Sequence, residues 1–380
     1  MKKDSINIVT LGCSKNVVDT EVLMNLLKTS GFEVEHNSDS IKHKTVVINT
    51  CGFIGDAKEE SVNTIVEMAD HKTRGNIKKI VVFGCLSQRY PEELRKELPE
   101  VDAFFGVDDT KELTEYLGAV YDPELVTTRE ITTPSHYAFL KISEGCNWGC
   151  SYCAIPLIRG RHKSRPIEGL ITEAKALAAK GVKELILIAQ DLTFYGKDLY
   201  GERRLAELLN LLCEIEGIEW IRLHYTYPTA FPREVIEVMK NQSKICKYID
   251  IPFQHVNSRI LTSMKRGINK EQTEDLMSFF RSEIPEIAIR TTMIVGYPGE
   301  TEAEFEELVE FVKKSRFDRL GVFAYSEEED TYAATLPDDV PDAIKQQRLE
   351  HIMTVQEEIA LQNNNKYVGT TQRVIIDRCE

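Results

Sequence analysis

Short apolar runs alternate with amphipathic stretches along most of this chain, and their order predicts an α/β architecture with parallel sheets. Residues 6–12, 45–50 and 79–84 read as buried strands, with helices over 17–29 and 58–70 between them, the pattern of a doubly wound parallel sheet. A turn-rich stretch over 121–134, with Asp122-Pro123 and Thr132-Thr133-Pro134, predicts a linker between two domains. The alternation then resumes. Strands over 138–143, 185–189, 220–223, 248–251, 288–295 and 319–323 are interleaved with helices over 169–179, 205–215, 235–240, 271–282 and 302–314. About six such repeats fall short of a closed eight-stranded barrel and predict a partial (β/α)6 barrel, with its chemistry at the carboxyl ends of the strands. Residues 341–364 read as a long, charged amphipathic helix packing across that barrel, and 372–380 as a strand opening a further domain.

Composition narrows the function classes. A chain of 380 residues exceeds one ordinary core, and 42% hydrophobic with 28% charged residues is usual for a soluble globular protein. No apolar run is long enough to span a bilayer, and the first residues lack an apolar signal-peptide core, so a cytoplasmic location is expected. The net charge of −14 disfavours a phosphate backbone and favours a cationic protein as partner, unless a local basic patch overrides the mean field. Nine cysteines in a reducing compartment point to metal binding or catalysis wherever they cluster, rather than to disulfides.

They do cluster. Cys146, Cys150 and Cys153 form a C-x3-C-x2-C run, three thiolates where an iron–sulfur cube has four irons, which leaves one iron open. Two other readings compete: three core thiols on one helix face, and a zinc site built on Cys150 and Cys153 with His162. Gly145, Asn147 and Gly149 make a poor helix interior, so a loop is expected. Cys13, Cys51 and Cys85 each follow one of the first three strands. Alone, each would be an ordinary buried cysteine; in a parallel sheet all three reach one crevice at the carboxyl edge, where they predict a second three-thiolate cluster with an open position. Cys213, Cys246 and Cys379 have no partner at ligand spacing, and Cys213 falls in an apolar helical pattern. Gln190-Asp191 and Gln254-His255 follow strands and are placed to touch a ligand, whereas His224 reads as a structural residue. Gly296-Tyr-Pro-Gly-Glu-Thr301 reads as a turn followed by a capping box from Thr301 to Glu304.

The run Cys146-Asn-Trp-Gly-Cys-Ser-Tyr-Cys-Ala-Ile-Pro156 with Arg159-Gly160 resembles the radical-SAM signature. Joined to Thr10-Leu-Gly-Cys-Ser-Lys-Asn-Val-Val-Asp19, Asn49-Thr-Cys-Gly-Phe-Ile54 and Phe83-Gly-Cys-Leu86, it resembles the radical-SAM methylthiotransferases over essentially the whole chain. The stretches 181–196 and 222–228 look like the RimO branch, which modifies a small-subunit ribosomal protein; the tRNA-modifying branch, MiaB, usually carries Gln-Asn where this chain has Gln190-Asp191.

The resemblance implies three regions: a methylthiotransferase amino-terminal domain over 1–130, a radical-SAM core over 135–365, and the first strand of a truncated TRAM β-barrel over 366–380. It implies two [4Fe-4S] clusters. Cys146, Cys150 and Cys153 would hold the one that reductively cleaves S-adenosylmethionine, with Tyr152 near the adenine and Gln190 and Gln254 as further cofactor contacts. Cys13, Cys51 and Cys85 would hold an auxiliary cluster presenting a sulfide, methylated by one cofactor molecule. The radical from a second molecule would then take hydrogen from the β-carbon of an aspartate in the small-subunit ribosomal protein numbered twelve, free or in the assembling subunit. A flavodoxin-like electron donor, a monomer and no membrane contact are implied as well. The alternative is a MiaB-like tRNA adenosine methylthiotransferase.

Overall fold

The structure, a computed structural model, describes residues 5–40 and 42–377. Cys379 lies outside the described residues.

The first sheet contains β1 (Ser5–Thr10), β2 (Glu33–His36), β3 (Thr45–Thr50), β4 (Lys79–Gly84) and β5 (Ala103–Phe105) in the order β2-β1-β3-β4-β5, with every pair parallel. This is a doubly wound sheet whose strand order reverses at β1 and β3. The three expected strands are its centre. The two edge strands escaped the sequence reading because β2 is short and polar and β5 has only three residues. Helices α1 (Ser14–Thr29), α2 (Gly55–Thr73), α3 (Cys85–Arg89), α4 (Pro91–Glu97) and α5 (Thr110–Tyr116) follow the strands. Separate apolar layers cover the two faces, one around Ile8, Leu23, Leu27 and Val81, the other around Ile48, Ile65, Ile80 and Val82.

The expected linker does more than connect. It forms a 3-10 turn at Pro123–Thr127 and then buries Arg129 at 1% exposure. That guanidinium donates to Glu21 on α1 and, at 2.8 Å, to Glu173. A buried cation between two carboxylates is a structural tie, and turn residues alone give no sign of it.

The second sheet runs β6 (Tyr137–Lys141), β9 (Glu184–Ile188), β10 (Trp220–Leu223), β11 (Ile245–Asp250), β12 (Ala288–Val295) and β13 (Arg319–Ala324), laid side by side in chain order and all parallel. Among the described residues no ladder joins β6 to β13, so this is the expected partial barrel. An antiparallel pair, β7 (Ser143–Glu144) with β8 (Lys163–Ser164), brackets the cysteine loop and was not expected. The helices are α6 (Ile155–Arg159), α7 (Ile167–Ala179), α8 (Lys197–Tyr200), α9 (Leu205–Cys213), α10 (Arg233–Asn241), α11 (Ser258–Ser263), α12 (Lys270–Glu283), α13 (Glu302–Ser315) and α14 (Asp342–Asn365). Cys213 packs against the main core as expected. Thr301 caps α13 in a reciprocal box with Glu304, so the preceding glycines make a turn.

The expected strand over 372–380 is not seen in its described part, since residues 372–377 adopt no regular structure. A strand needs a neighbour for its N–H and C=O groups, and among the described residues no strand pairs with this segment. The segment lies against the barrel instead, where Arg373 meets Glu219 and His136 meets Asp377 at 2.8 Å.

Candidate active site

Sheet register assembles the amino-terminal triplet. Thr50 pairs with Gly84, so the next residues, Cys51 and Cys85, leave neighbouring strands side by side; Thr10 pairs with Asn49, and Cys13 follows within one turn of chain. Close approach needs residues without Cβ. At Gly12 (φ +86°) a Cβ would stand 2.8 Å from Cys51 Cβ and 3.2 Å from its Sγ. At Gly84 (φ +103°) it would meet the Thr50 carbonyl at 2.8 Å. Cys13 sits at the N-cap position of α1 and Cys85 opens α3.

The second triplet is local. Residues 145–154 form an irregular loop, as expected from Gly145, Asn147 and Gly149, and the three-thiol helix face is excluded. His162 does not join the cysteines; its Nε2 faces Ser164 Oγ at 3.1 Å and Asp198 at 3.7 Å, which removes the histidine from the zinc reading. An aromatic platform fixes the loop: Trp148 stacks on Tyr227 at 4.2 Å and donates to Asp191 at 2.7 Å. Tyr227 Oη lies 3.2 Å from Cys150 Sγ.

Each triplet has one buried arginine directed at one sulfur. Arg266 Nη1 donates to Cys150 Sγ at 3.4 Å, and its guanidinium lies 4.1 Å from the Tyr227 ring centre. Arg159, just beyond the second cysteine loop, reaches the first triplet and donates to Cys85 Sγ at 3.3 Å. The same guanidinium donates to Asp19 and Glu144 at 3.0 Å each and to Asn16 at 2.7 Å. Lys141 also binds Asp19 and, at 2.8 Å, Glu144. Burial alone would push the Glu144 carboxyl up, but Lys141 and Arg159 hold it well below the usual carboxylate range. An apolar contact of Cys85, Ala154 and Ile158 with Phe53 and Val107 completes the seam between the two triplets.

The thiols fit iron–sulfur ligation. Burial pushes Cys85 and Cys146 up to about 11 and Cys153 up to about 12, and it raises Cys51 as well. Such groups become thiolates when a cation displaces the proton, which is what iron does. Among the described residues no three His, Cys, Asp or Glu side chains converge tightly enough for one metal ion. Zinc would draw its sulfurs to about 2.3 Å from a single centre, whereas a cube gives each thiolate its own iron and accepts a wider spread.

The other expected contacts divide. Tyr152 is half-buried and packs with Ile260, Met264, Tyr297 and Tyr325 beside the loop. Gln190 donates to Glu144 at 2.6 Å and leaves its Oε1 buried without a partner. Gln254, bridged to Met293 at φ +74°, also leaves a buried, unpartnered Oε1. Their neighbours are structural: Asp191 caps a turn by accepting from Thr193 at 2.7 Å, and His255 pairs with Glu300 at 3.0 Å. Burial with nearby Arg290 and Arg222 lowers His224 to about 4, a neutral, structural imidazole. The sequence reading missed Arg159 and Arg266 as partners of the cysteine sulfurs.

The radical SAM superfamily matches residues 140–312, and the uncharacterized protein family UPF0004 matches residues 5–106. Among solved structures, the radical S-adenosylmethionine methyltransferase TsrM from Kitasatospora setae superposes with TM-score 0.66 at 13% identity, covering 94% of this chain and 89% of that one. At that identity the likeness concerns the fold. Sequence relatives are much nearer. The ribosomal protein uS12 methylthiotransferase RimO of Flavobacterium psychrophilum is 58% identical across 100% of this chain and 87% of its own length. That of Christiangramia forsetii is 56% identical, covering 100% and 84%. With both cysteine triplets in place and identity of this order along its whole length, the chain belongs to the RimO family of radical-SAM methylthiotransferases.

Proposed function

We propose that this protein attaches a methylthio group to the β-carbon of an aspartate in ribosomal protein uS12. The observation that carries the reading is the identity of 56–58% over the full chain to uS12 methylthiotransferases, in a chain that brings two three-cysteine sets to one seam. In this reading Cys13, Cys51 and Cys85 hold an auxiliary [4Fe-4S] cluster, and Cys146, Cys150 and Cys153 hold the cluster that binds S-adenosylmethionine. Bound there, these groups supply reductive cleavage of the cofactor, methyl transfer to sulfur and hydrogen abstraction.

The protein's own residues hold, orient and shield. Arg159 and Arg266 each direct a charge-assisted N–H at a ligand sulfur, which stabilises the thiolate and tunes its cluster. The apolar contacts around Cys85 and around Tyr152 keep water from the reacting groups. The spare amide oxygens of Gln190 and Gln254 offer acceptors to the amino or hydroxyl groups of the cofactor. Residues 1–130 form the auxiliary-cluster domain and 135–365 the radical-SAM core. The reading includes a flavodoxin-like electron donor, a monomeric protein in the cytoplasm, and uS12 met free or within the assembling small subunit. No helix among the described residues is long and apolar enough to cross a membrane.

The test compares masses in the source organism with and without the intact gene, for small-subunit ribosomal proteins and for tRNA nucleosides. The expected result is loss of one methylthio group from uS12 with tRNA unchanged. Loss from a tRNA adenosine, with uS12 unchanged, would overturn the reading.

A further inference from the structure

We propose that Lys15 is the specificity residue that grips the side-chain carboxylate of the aspartate being modified; the inference rests on the reading above. Lys15 lies two residues after Cys13, in the first turn of α1, and is 8% exposed. Its Nζ stands 3.9 Å from the centre of the Tyr225 ring and, among the described residues, makes no hydrogen bond or ion pair. Tyr225 itself sits just past β10 at φ +67°, a left-handed conformation uncommon for a bulky residue, and this places its ring beneath the ammonium.

The acids near Lys15 are already taken. Glu144 accepts from Lys141 at 2.8 Å and Arg159 at 3.0 Å, and Asp19 serves the same two cations. Asp250, at the end of β11, faces Arg290 at 4.0 Å. Lys15, Lys141 and Arg159 thus share two carboxylates, Asp19 and Glu144, both held by Lys141 and Arg159, and beside Lys15 the remaining anion-forming group is the Cys13 thiol, which the cluster engages in this reading. A buried ammonium without a carboxylate partner of its own is costly, and an aromatic face offsets part of that cost. The position therefore asks for a carboxylate from outside, next to Cys13 and Glu144.

An aspartate substrate supplies one. Its carboxylate is bonded directly to the β-carbon, so holding the carboxylate also fixes the carbon from which hydrogen leaves. Asparagine has nearly the same shape without the charge, and a buried ammonium discriminates against it.

The experiment uses the protein reconstituted with iron and sulfide and loaded with S-adenosylmethionine. Affinity is measured for uS12 and for uS12 with Asp→Asn at the modified position, on the wild type, Lys15→Met and Lys15→Arg. The wild type should prefer aspartate by about 10²-fold, the range expected for a buried charge pair. Lys15→Met should bring the two affinities within about threefold, and Lys15→Arg should keep most of the preference. Iron content checks that the variants hold their sites; if Lys15→Met loses iron, Lys15→Gln supplies the same comparison. An unchanged Asp/Asn ratio in the neutral variant would overturn the proposal, and with a shifted auxiliary-cluster potential it would assign Lys15 to balancing thiolate charge instead. Methylthiolation of uS12 by the wild type is followed in parallel. If it occurs while the ratio is unchanged, only the role of Lys15 fails; if the wild type modifies neither substrate, the functional reading fails with it.

Discussion

The two cysteine triplets carry the same donor atoms and are built in opposite ways. Cys146, Cys150 and Cys153 lie on one irregular loop, held by Trp148 stacked on Tyr227 and by Arg266. Cys13, Cys51 and Cys85 come from three strand ends, and the pairing of Thr50 with Gly84 and of Thr10 with Asn49 sets their spacing. The local site owes its shape to a short stretch of chain and the side chains beneath it. The distant site owes its shape to a sheet, so anything that disturbs the sheet edge disturbs its ligands. Arg159 couples the two, because it leaves the local loop and donates to Cys85.

The comparison can be broken most sharply by removing one ligand from each site. Cys150→Ala should reduce 5′-deoxyadenosine formation to background while the amino-terminal iron stays. Cys51→Ala should leave that cleavage measurable and abolish methylthio transfer to uS12. Chromatography of deoxyadenosine and the mass of uS12 read both results, and cofactor cleavage persisting in Cys150→Ala would reject the assignment.

Next in size is the coupling residue. Arg159→Met leaves Asp19 and Glu144 short of a buried partner, a loss of about 3–5 kcal/mol in stability by urea unfolding. It should also shift the midpoint potential of the auxiliary cluster more than that of the other. A smaller effect separates the two constructions. At Gly52 an added Cβ would lie 2.8 Å from the Cys85 carbonyl and from the Leu86 backbone, so Gly52→Ala should cost about 1–3 kcal/mol. Iron should be lost from the amino-terminal site first, and equal loss from both would show that the sites are not built separately. Thr301→Ala is the control. It removes the cap of α13, costs about 1 kcal/mol in thermal unfolding, and should leave both iron sites filled.

What was legible in the sequence follows the same division. Spacing alone singled out the local triplet as candidate ligands, and strand-end positions singled out the distant one, because a parallel sheet brings its carboxyl ends to one edge. The six barrel strands and the long helix α14 were readable from periodicity. Lys15, Arg159 and Arg266 were not, since a single charged residue gives no periodic signal of what it will meet after folding. Arg159 finds Asn16, Asp19 and Cys85 far away in the chain, and Lys15 finds Tyr225. Short partners were lost for another reason: β2, β5 and the β7–β8 pair contain too few residues to show alternation. The stretch over 372–377 shows the converse, an apolar pattern that forms no strand where, among the described residues, no strand pairs with it.

The most direct test of two separate three-thiolate sites is the iron and acid-labile sulfide content of the anaerobically reconstituted protein. It is measured on the wild type, on the variant with alanine at Cys13, Cys51 and Cys85, and on the variant with alanine at Cys146, Cys150 and Cys153. Two [4Fe-4S] sites predict about eight irons per chain in the wild type and about four in each variant. A variant that loses all its iron, or a wild type that holds zinc in place of iron, would contradict the account.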